Sequence, residues 1–279
     1  MYLDIKDRKK LTKDEEAKPY AKYYYMEMKR PDVVIFDKIE SGPIDPKDAL
    51  KIEDRNDLLN PGYHKEEIGY CVMPEGTPYV AMLTKMPGVT AEMFDWWFAW
   101  HPLESLRYKI WDPDDHFGVS VNDENRKRLL DDNIPIGERN WGCTHFVSEA
   151  IGEMRMERPP DTERRAGGGL SFISPEDYGF DMGRFKSPNV ETVVCGPMCH
   201  FLRKTDDGME LRSRFWLGYR IVDKKAVLGQ AGPFQAGANK ERLEFAAKQL
   251  ALHCTKEFTH LGKILPMVYA DQGGKITET

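Results

Sequence analysis

The 279-residue sequence is 41% hydrophobic and 31% charged, a composition that excludes a disordered chain and allows one large domain or two small ones. Its formal net charge of -6, with no basic stripe, argues against nucleic acid as the main partner. Five cysteines without disulfide-like spacing predict free thiols in a reducing compartment. The charged N-terminus and the lack of an apolar run long enough for a membrane span predict a soluble cytoplasmic protein.

The first part of the chain is polar and rich in turn-forming residues. Residues 1–18 are highly charged and predict an arm or a short helix. Residues 31–65 are rich in Pro, Asp and Gly, which predicts extended segments and turns. Two apolar runs between residues 69 and 84, GYCVMP and PYVAMLT, then predict a pair of strands joined by a turn at Glu75-Gly76.

An aromatic segment, VTAEMFDWWFAWHP, predicts a short helix. Thr90 is placed to cap the N-terminus of this helix, and Pro102 stands just beyond its end. After it, FGVSV predicts a short strand at 117–121, and the polar residues 122–140 predict a loop. THFVSEAI predicts a further strand at 144–151.

A long excursion is expected over residues 155–190, where Gly, Pro and charged residues are frequent. ETVVCGPMCHFLR and MELRSRFWLGYRIV then predict two adjacent strands with a turn at Asp206-Asp207-Gly208. In the second strand, apolar residues alternate with charged ones, and this pattern predicts one buried face and one face in water. The apolar set is Met209, Leu211, Phe215, Leu217, Tyr219 and Ile221, and the charged set is Glu210, Arg212, Arg214 and Arg220.

The C-terminal region predicts a long helix from Lys240 to Gly262, because apolar residues recur at spacings of three and four. These residues are Leu243, Ala246, Ala247, Leu250, Cys254, Phe258 and Leu261. His253 and Glu257 fall on the same face, one turn apart, where an unpaired carboxylate is expensive to bury. A divalent metal would satisfy both side chains, and so would a His–Glu hydrogen bond under a loop; the spacing leaves both alternatives open.

Three more polar residues are expected to face apolar surroundings. Glu149 alternates with the apolar residues of its strand, His200 does the same in the strand before the Asp-Asp-Gly turn, and His116 stands at the start of FGVSV. Each alone is typical of a hydrogen-bonded core residue. Together with His253 and Glu257 they form a nitrogen and oxygen ligand set that suits zinc, while manganese, iron and cobalt are not excluded.

The order of elements, strands first and a long helix last, favours an α+β helix-grip fold: a curved antiparallel sheet wrapped around the C-terminal helix, with a cavity between them and an N-terminal extension. We expect residues 1–30 to form an N-terminal arm and residues 31–279 to form the helix-grip domain.

A family resemblance adds to this interpretation. WWFAWHPLESLRYKIWDPDDH at 96–116, with the later His-x-x-x-Glu at 253–257, resembles the phloretin hydrolase and 2,4-diacetylphloroglucinol hydrolase family from about residue 18 onward. The resemblance implies a Bet v 1-like domain and a zinc ion held by two His and two Glu. It also implies hydrolysis of the carbon–carbon bond between a polyhydroxylated ring and its acyl carbonyl. Carried over by position, the zinc ligands would be His116, Glu149, His253 and Glu257.

The same resemblance implies the substrate contacts. Tyr108 and His200 match the family's tyrosine and histidine that contact the phenolic ring, and we expect them to be catalytic. Tyr219 is the substitute for a further substrate-binding tyrosine. The implied substrate is an acylated polyphenol, phloretin in preference to diacetylphloroglucinol, and the implied assembly is a homodimer. A non-catalytic carrier of aromatic ligands and an iron-dependent oxygenase are the alternatives from other functional classes.

Overall fold

Alternating apolar residues in the middle and late parts of the chain form a five-stranded antiparallel sheet. A computed structural model describes residues 2–155, 168–184, 190–194, 196–229 and 239–278. The strand order in the sheet is β1-β2-β9-β8-β7. These strands are β1 (Gly69–Val72), β2 (Pro78–Pro87), β7 (Val190–Val193), β8 (Met198–Lys204) and β9 (Gly208–Trp216).

Smaller elements surround this sheet. Strand β4 pairs with β3, β5 and β6, and β10 pairs with β11. Their ranges are β3 His116–Ser120, β4 Thr144–Ile151, β5 Met154–Arg155, β6 Gly169–Ser171, β10 Tyr219–Val222 and β11 Lys225–Leu228. The α-helices before the C-terminal one are α1 Lys13–Glu16, α2 Val33–Glu40, α3 Ala91–Trp100, α4 Ser105–Lys109, α5 Asp123–Leu129 and α6 Pro175–Tyr178.

The C-terminal helix α7 (Lys240–Asp271) packs along β1 and β2 and buries the apolar stripe expected from the sequence. It continues nine residues past the predicted end at Gly262 and contains Pro266. Further buried apolar residues, such as Ile264 and Val268, continue the stripe, so packing outweighs both helix breakers. Gly262 packs against Met86 of β2, at a distance where an added Cβ would make ordinary van der Waals contact, 3.4 Å from the Met86 side chain.

The predicted strand at 144–151 and the predicted Thr90 cap are both confirmed. Strand β4 has the predicted bounds, and Thr90 Oγ1 accepts a hydrogen bond from Met93 N at 3.2 Å. Strand β3 carries a bulge, because His116 pairs with Glu149 whereas Gly118 already pairs with Ser148. The extra residue, Phe117, shifts the register so that His116 lies directly opposite Glu149.

Two polar regions fold more regularly than the sequence predicts. The expected loop at 122–140 contains α5, and the expected turns at 31–65 contain α2 and two 3-10 segments. Asn122 and Asp32 cap the two α-helices with their side chains. Each helix buries so few residues that no apolar periodicity marks it in the sequence, and the prediction of loops and turns was wrong there.

The predicted water-facing side of β9 is buried, which corrects the prediction. Each of the two predicted strands is also interrupted by a turn, so that the first forms β7 and β8 and the second forms β9 and β10. Arg212 and Arg214 are about 1% and 0% exposed and both bind Glu67. The segment before β1 covers this face: Trp216 Nε1 donates to Leu50 O at 2.7 Å. The cover comes from residues far away in the sequence, so strand alternation could not reveal it.

The N-terminal residues are tied to the body of the protein by buried polar contacts. Arg8 Nε donates to Asp114 Oδ1 at 2.9 Å, and Arg8 Nη1 donates to the carbonyl oxygens of Tyr24 and Met26 at 2.6 and 2.9 Å. Within the described ranges, no helix combines the length and apolar character required to cross a bilayer. Parts of the excursion predicted at 155–190 lie outside the described residues.

Candidate metal centre

Four side chains from three elements converge in the core. His116 begins β3, Glu149 lies opposite it on β4, and His253 and Glu257 lie one turn apart on α7. His116 Nε2 is 3.6 Å from Glu149 Oε2 and 3.4 Å from Glu257 Oε2. His253 Nε2 is 3.8 and 3.9 Å from the same two oxygens. Ligands about 2.1 Å from a tetrahedral ion are about 3.4 Å apart, so these distances are those of a slightly expanded ligand shell.

The environment of His116 suits a metal ligand. Its Nδ1 lies 3.1 Å from Tyr108 O, and its ring stacks on the Tyr108 ring at 3.9 Å between centroids. A carbonyl can only accept, so Nδ1 carries the proton and Nε2 presents a lone pair. Nε2 is buried and has no hydrogen-bond partner among the residues that the structure describes. Burial, with His253 nearby, holds the pKa of His116 well below its usual range, so the ring is neutral. A metal ion would satisfy this unpaired nitrogen.

In the described ranges, the ion pairs given for the two glutamates are to the imidazoles of His116 and His253 and not to a Lys or an Arg. Burial, and next the charge of Glu149, raises the pKa of Glu257 well above its usual range. The side chains of Glu149 and Glu257 are 13% and 11% exposed, whereas that of His116 is 0% exposed. A small molecule would therefore reach the cluster from the carboxylate side. A divalent cation would offset the repulsion between the carboxylates, so the donor set and its burial both fit a metal.

Tyr108 touches the cluster directly. It lies on α4, and its hydroxyl donates a hydrogen bond to Glu149 Oε2, the oxygen that faces both imidazoles. Burial and the charges of Glu149 and Glu257 raise its pKa well above 10, so the phenol keeps its proton at neutral pH. The structure thus brings Tyr108 together with the four predicted ligands as a hydrogen-bond donor.

His200 faces inward from β8, as the sequence predicts, and its ring contacts Phe258. Its Nδ1 is 2.8 Å from Ser213 Oγ, and its ring centroid is 4.7 Å from that of Phe258, the residue after Glu257. Burial lowers the pKa of His200 to about 3, so the ring is neutral at pH 7. Because Ser213 engages Nδ1, Nε2 is the nitrogen left for a ligand.

One buried acid beside His200 was missed by the sequence reasoning. Glu191 lies directly opposite His200 in the β7–β8 ladder, and its Oε2 accepts from Asn140 Nδ2 at 2.6 Å. Burial raises the pKa of Glu191 to about 8. The signal was present, because a glutamate interrupts the apolar run VETVV, but the run was interpreted only as a strand.

Tyr219 is not brought to this cluster. It lies on β10, and its hydroxyl donates to Glu75 Oε1 at 2.7 Å. It lines a cleft of about 730 Å³ together with Trp216 and Met73, which belong to the apolar core on the other face of the sheet. None of its described contacts involves a predicted metal ligand. The chain turns at Leu217-Gly218, so the alternation of β9 does not extend to Tyr219.

Three aspartates of the WDPDDH segment form a second charged group behind His253. Lys256 Nζ lies 2.5 Å from Asp115 Oδ2, 3.2 Å from Asp112 Oδ1 and 3.5 Å from Asp114 Oδ2. One oxygen each of Asp112 and Asp115 also lies within 4.8 Å of a ring nitrogen of His253. Burial raises the pKa of Asp112, and Lys256 opposes this shift. This group stabilises the turn that leads into His116.

Comparison with known proteins identifies the family of the chain. Residues 50–270 match the family model described as the DAPG hydrolase PhiG domain. Phloretin hydrolase of Eubacterium ramulus is 34% identical over 273 residues, which cover 94% of this chain and 93% of that protein. The 2,4-diacetylphloroglucinol hydrolase of Pseudomonas protegens is 34% identical over 290 residues, covering 98% of this chain and 91% of the relative. A homologous hydrolase from Pseudomonas sp. matches equally well, at 34% over 290 residues. The chain therefore belongs to the 2,4-diacetylphloroglucinol (DAPG) hydrolase family.

Proposed function

We propose that the protein is a zinc-dependent hydrolase that cleaves the carbon–carbon bond between a phloroglucinol ring and its acyl carbonyl. Phloretin, giving phloroglucinol and phloretate, is the first candidate substrate, and 2,4-diacetylphloroglucinol is the second. The observation that carries the proposal is the convergence of His116, Glu149, His253 and Glu257 at ligand-shell distances. Its relatives over nearly the whole chain are hydrolases of these two compounds.

Zinc is the proposed ion because two imidazole nitrogens and two carboxylate oxygens are borderline and hard donors that suit it, and because zinc can expand from four to five ligands when a water or a carbonyl joins. A zinc ion held there would supply Lewis acidity, which polarises a carbonyl and acidifies a bound water. Four protein ligands also disfavour an iron oxygenase, because oxygen chemistry requires open positions.

In this reaction the aromatic ring is the leaving group. It can leave only after the ring carbon that bears the acyl group has taken up a proton. Together with the loss of the proton from a neighbouring ring hydroxyl, this protonation gives a dienone tautomer, in which the acyl group and the ring carbonyl resemble a β-diketone. Water then adds to the acyl carbonyl carbon, and the ring–acyl bond breaks. The bonding electron pair goes to the ring as a phenolate, and the acyl fragment leaves as a carboxylic acid.

Tyr108 and His200 are assigned to the ring. The Tyr108 phenol keeps its proton and already donates to a site carboxylate, so it can donate instead to a ring oxygen on which charge develops. The neutral His200 can accept the proton of a ring hydroxyl through Nε2, while Ser213 orients its Nδ1. The two residues thus stabilise the phenolate and relay its proton.

The architecture supports the same proposal. An antiparallel sheet packed along one long C-terminal helix, with the ligand set between that helix and β3–β4, is what a Bet v 1-like helix-grip fold provides. We propose residues 1–30 as an arm on the domain formed by 31–279. The homodimer rests on the family resemblance alone, and light scattering of the purified protein tests it.

Metal analysis and product analysis on one purified sample test the function. We expect one zinc per chain, release of phloroglucinol from phloretin, and loss of turnover after chelation that zinc restores. Phloretin and diacetylphloroglucinol assayed side by side assign the acyl group. Absence of a stoichiometric transition metal contradicts the zinc proposal, and tight binding of both compounds without products would identify a carrier.

Ring substitution tests the order of steps. A substrate that lacks the hydroxyl groups ortho and para to the acyl carbon cannot form the dienone, so it should bind but remain intact. Turnover of this compound at a rate comparable to phloretin would show that ring tautomerisation is not part of the mechanism, and would remove the roles given to Tyr108 and His200.

A further inference from the structure

Two unpaired polar atoms lie behind the proposed metal centre. His253 Nδ1 and Asp112 Oδ2 are both buried, and within the described part of the chain neither atom has a hydrogen-bond partner. One oxygen of Asp112 lies within 4.8 Å of a ring nitrogen of His253. A buried donor and a buried acceptor without partners are each unfavourable, and a hydrogen bond between them would satisfy both.

The surroundings direct Asp112 toward this role. Its Oδ1 accepts from the backbone amides of Asp114 and Asp115, both at 3.2 Å, and lies 3.2 Å from Lys256 Nζ. These contacts occupy one carboxylate oxygen and leave Oδ2. The backbone oxygen of Asp112 also accepts from His116 N at 2.8 Å. Asp112 therefore contacts the backbone of His116 and also lies beside the ring of His253.

A second metal ion between Asp112, Asp115 and His253 is the competing explanation for this grouping, and Lys256 argues against it. Its ammonium lies 2.5 Å from Asp115 Oδ2 and already supplies a cation to the aspartates. A divalent ion on the same oxygens would stand beside that ammonium and be repelled by it. The pair of unpaired atoms then requires a proton between them, not a metal.

We propose that Asp112 is a positioning residue for His253: its Oδ2 accepts the Nδ1 proton and so keeps the Nε2 lone pair directed at the metal. The proposal rests on the proposed metal site and adds a residue to it. Closing the gap requires a small shift of the Asp112 or His253 side chain. His116 is held in the same tautomer by Tyr108 O, so the two imidazoles would be oriented alike by one carbonyl and one carboxylate.

Asp112→Asn is the informative variant. The amide keeps an oxygen for the backbone amides of Asp114 and Asp115, so the turn is retained. It also puts an NH₂ donor where Oδ2 stood, which favours the His253 tautomer with its proton on Nε2, where it blocks metal binding. The control is Asp114→Asn, which removes the same charge from the same buried segment but has no place in the His253 group.

Zinc affinity, measured by competition with a chromophoric chelator, is the primary readout. We expect Asp112→Asn to weaken zinc binding by roughly 10–100-fold and Asp114→Asn to leave it within about threefold. Equal loss in both variants, or no loss in Asp112→Asn, overturns the assignment. If the unmodified protein binds no zinc, both the metal proposal and this inference fail; if it binds zinc and Asp112→Asn binds equally well, only this inference fails.

The unmodified protein supplies a second readout in case Asp112→Asn does not fold. Nitrogen chemical shifts of the His253 ring in the zinc-loaded protein, assigned with a His253→Gln reference, report which nitrogen carries the proton. A protonated Nδ1 with a metal-bound Nε2 supports the proposal. A protonated Nε2 with the metal on Nδ1 overturns it.

Discussion

Two buried clusters, one on the outer face of the five-stranded sheet and one between α7 and the β3–β4 pair, differ in the charges that surround their carboxylates. On one face, Glu67 is bound by Arg212 and Arg214. Although burial alone would raise the pKa of Glu67, these two cations lower it to about 2. In the other cluster, Glu149 and Glu257 face two imidazoles, and the pKa of Glu257 is raised well above its usual range.

The difference separates a structural cluster from the candidate functional one. Glu67 is satisfied by the chain itself, so it can contribute to stability without any ligand. Glu257 is stabilised as an anion only if something outside the chain supplies positive charge. Two carboxylates buried beside two imidazoles therefore identify the candidate site more clearly than the cleft of about 730 Å³ does, since that cleft lies on the Glu67 side of the sheet.

Removing a proposed ligand should have the largest effect on zinc content and activity. Glu257→Gln or His253→Ala is expected to reduce zinc from one per chain to near zero and to abolish hydrolysis. Elemental analysis and product assays measure this. Burial and the charge of Glu149 disfavour the charged form of Glu257 in the metal-free fold. Glu257→Gln should therefore leave the metal-free protein equally stable or more stable in thermal unfolding. Full zinc content in either variant would contradict the assignment.

Residues assigned to the ring should separate catalysis from metal binding. Tyr108→Phe and His200→Ala are expected to keep zinc near the level of the unmodified protein while kcat falls by roughly 10²–10⁴-fold. Single-turnover rates on zinc-loaded samples measure the change. Loss of zinc in proportion to loss of activity would assign the two residues to the metal shell instead.

The paired cluster should respond in the opposite manner. Glu67→Gln leaves Arg212 and Arg214 without a buried counter-charge, so we expect destabilisation by about 3–5 kcal/mol with no change in zinc affinity. Denaturant unfolding measures the free energy of unfolding. Arg203→Gln, which breaks an ion pair to Glu210 nearer the surface, is the milder control. An altered zinc affinity in Glu67→Gln would show that the two clusters are coupled.

The pH dependence of the free energy of unfolding should show a smaller effect, which comes from the Glu67 cluster. The pKa of Glu67 is lowered in the fold, so its contribution is fully present above the unfolded value near 4.5 and is lost as pH falls toward 2. The contribution amounts to roughly 3 kcal/mol at neutral pH. Metal-free Glu67→Gln should lose stability less steeply than the unmodified metal-free protein between these pH values. Parallel curves would contradict the assignment.

Local patterns in the sequence predicted the local parts of the structure. The bounds of β4 and the Thr90 cap depend on neighbouring residues, and the helical period placed His253 and Glu257 on the buried face of α7. The predicted convergence of His116 with Glu149 follows from a bulge at Phe117 that has no sequence signal, and the family resemblance supplied it instead.

Long-range packing explains what the sequence could not predict. The outer face of β9 is covered by a segment far upstream in the sequence. The alternation of Arg212 and Arg214 with apolar residues therefore predicted a solvent-exposed face, whereas in the fold both side chains are buried and bind Glu67. The end of α7 depends on burial against the sheet, which overrides Gly262 and Pro266. The position of Tyr219 depends on where the chain turns after Trp216, and alternation carries no information on that turn.

Half of the candidate cluster lies on α7, and this placement determines when the cluster can assemble during synthesis of the chain. His116 and Glu149 leave the ribosome long before His253 and Glu257, and the sheet and α7 can close around the cluster only after α7 has been made. A nascent chain therefore exposes the first two proposed ligands without the other two. The proposed metal ion can be selected only after α7 has closed the cluster, from the ions available at that time.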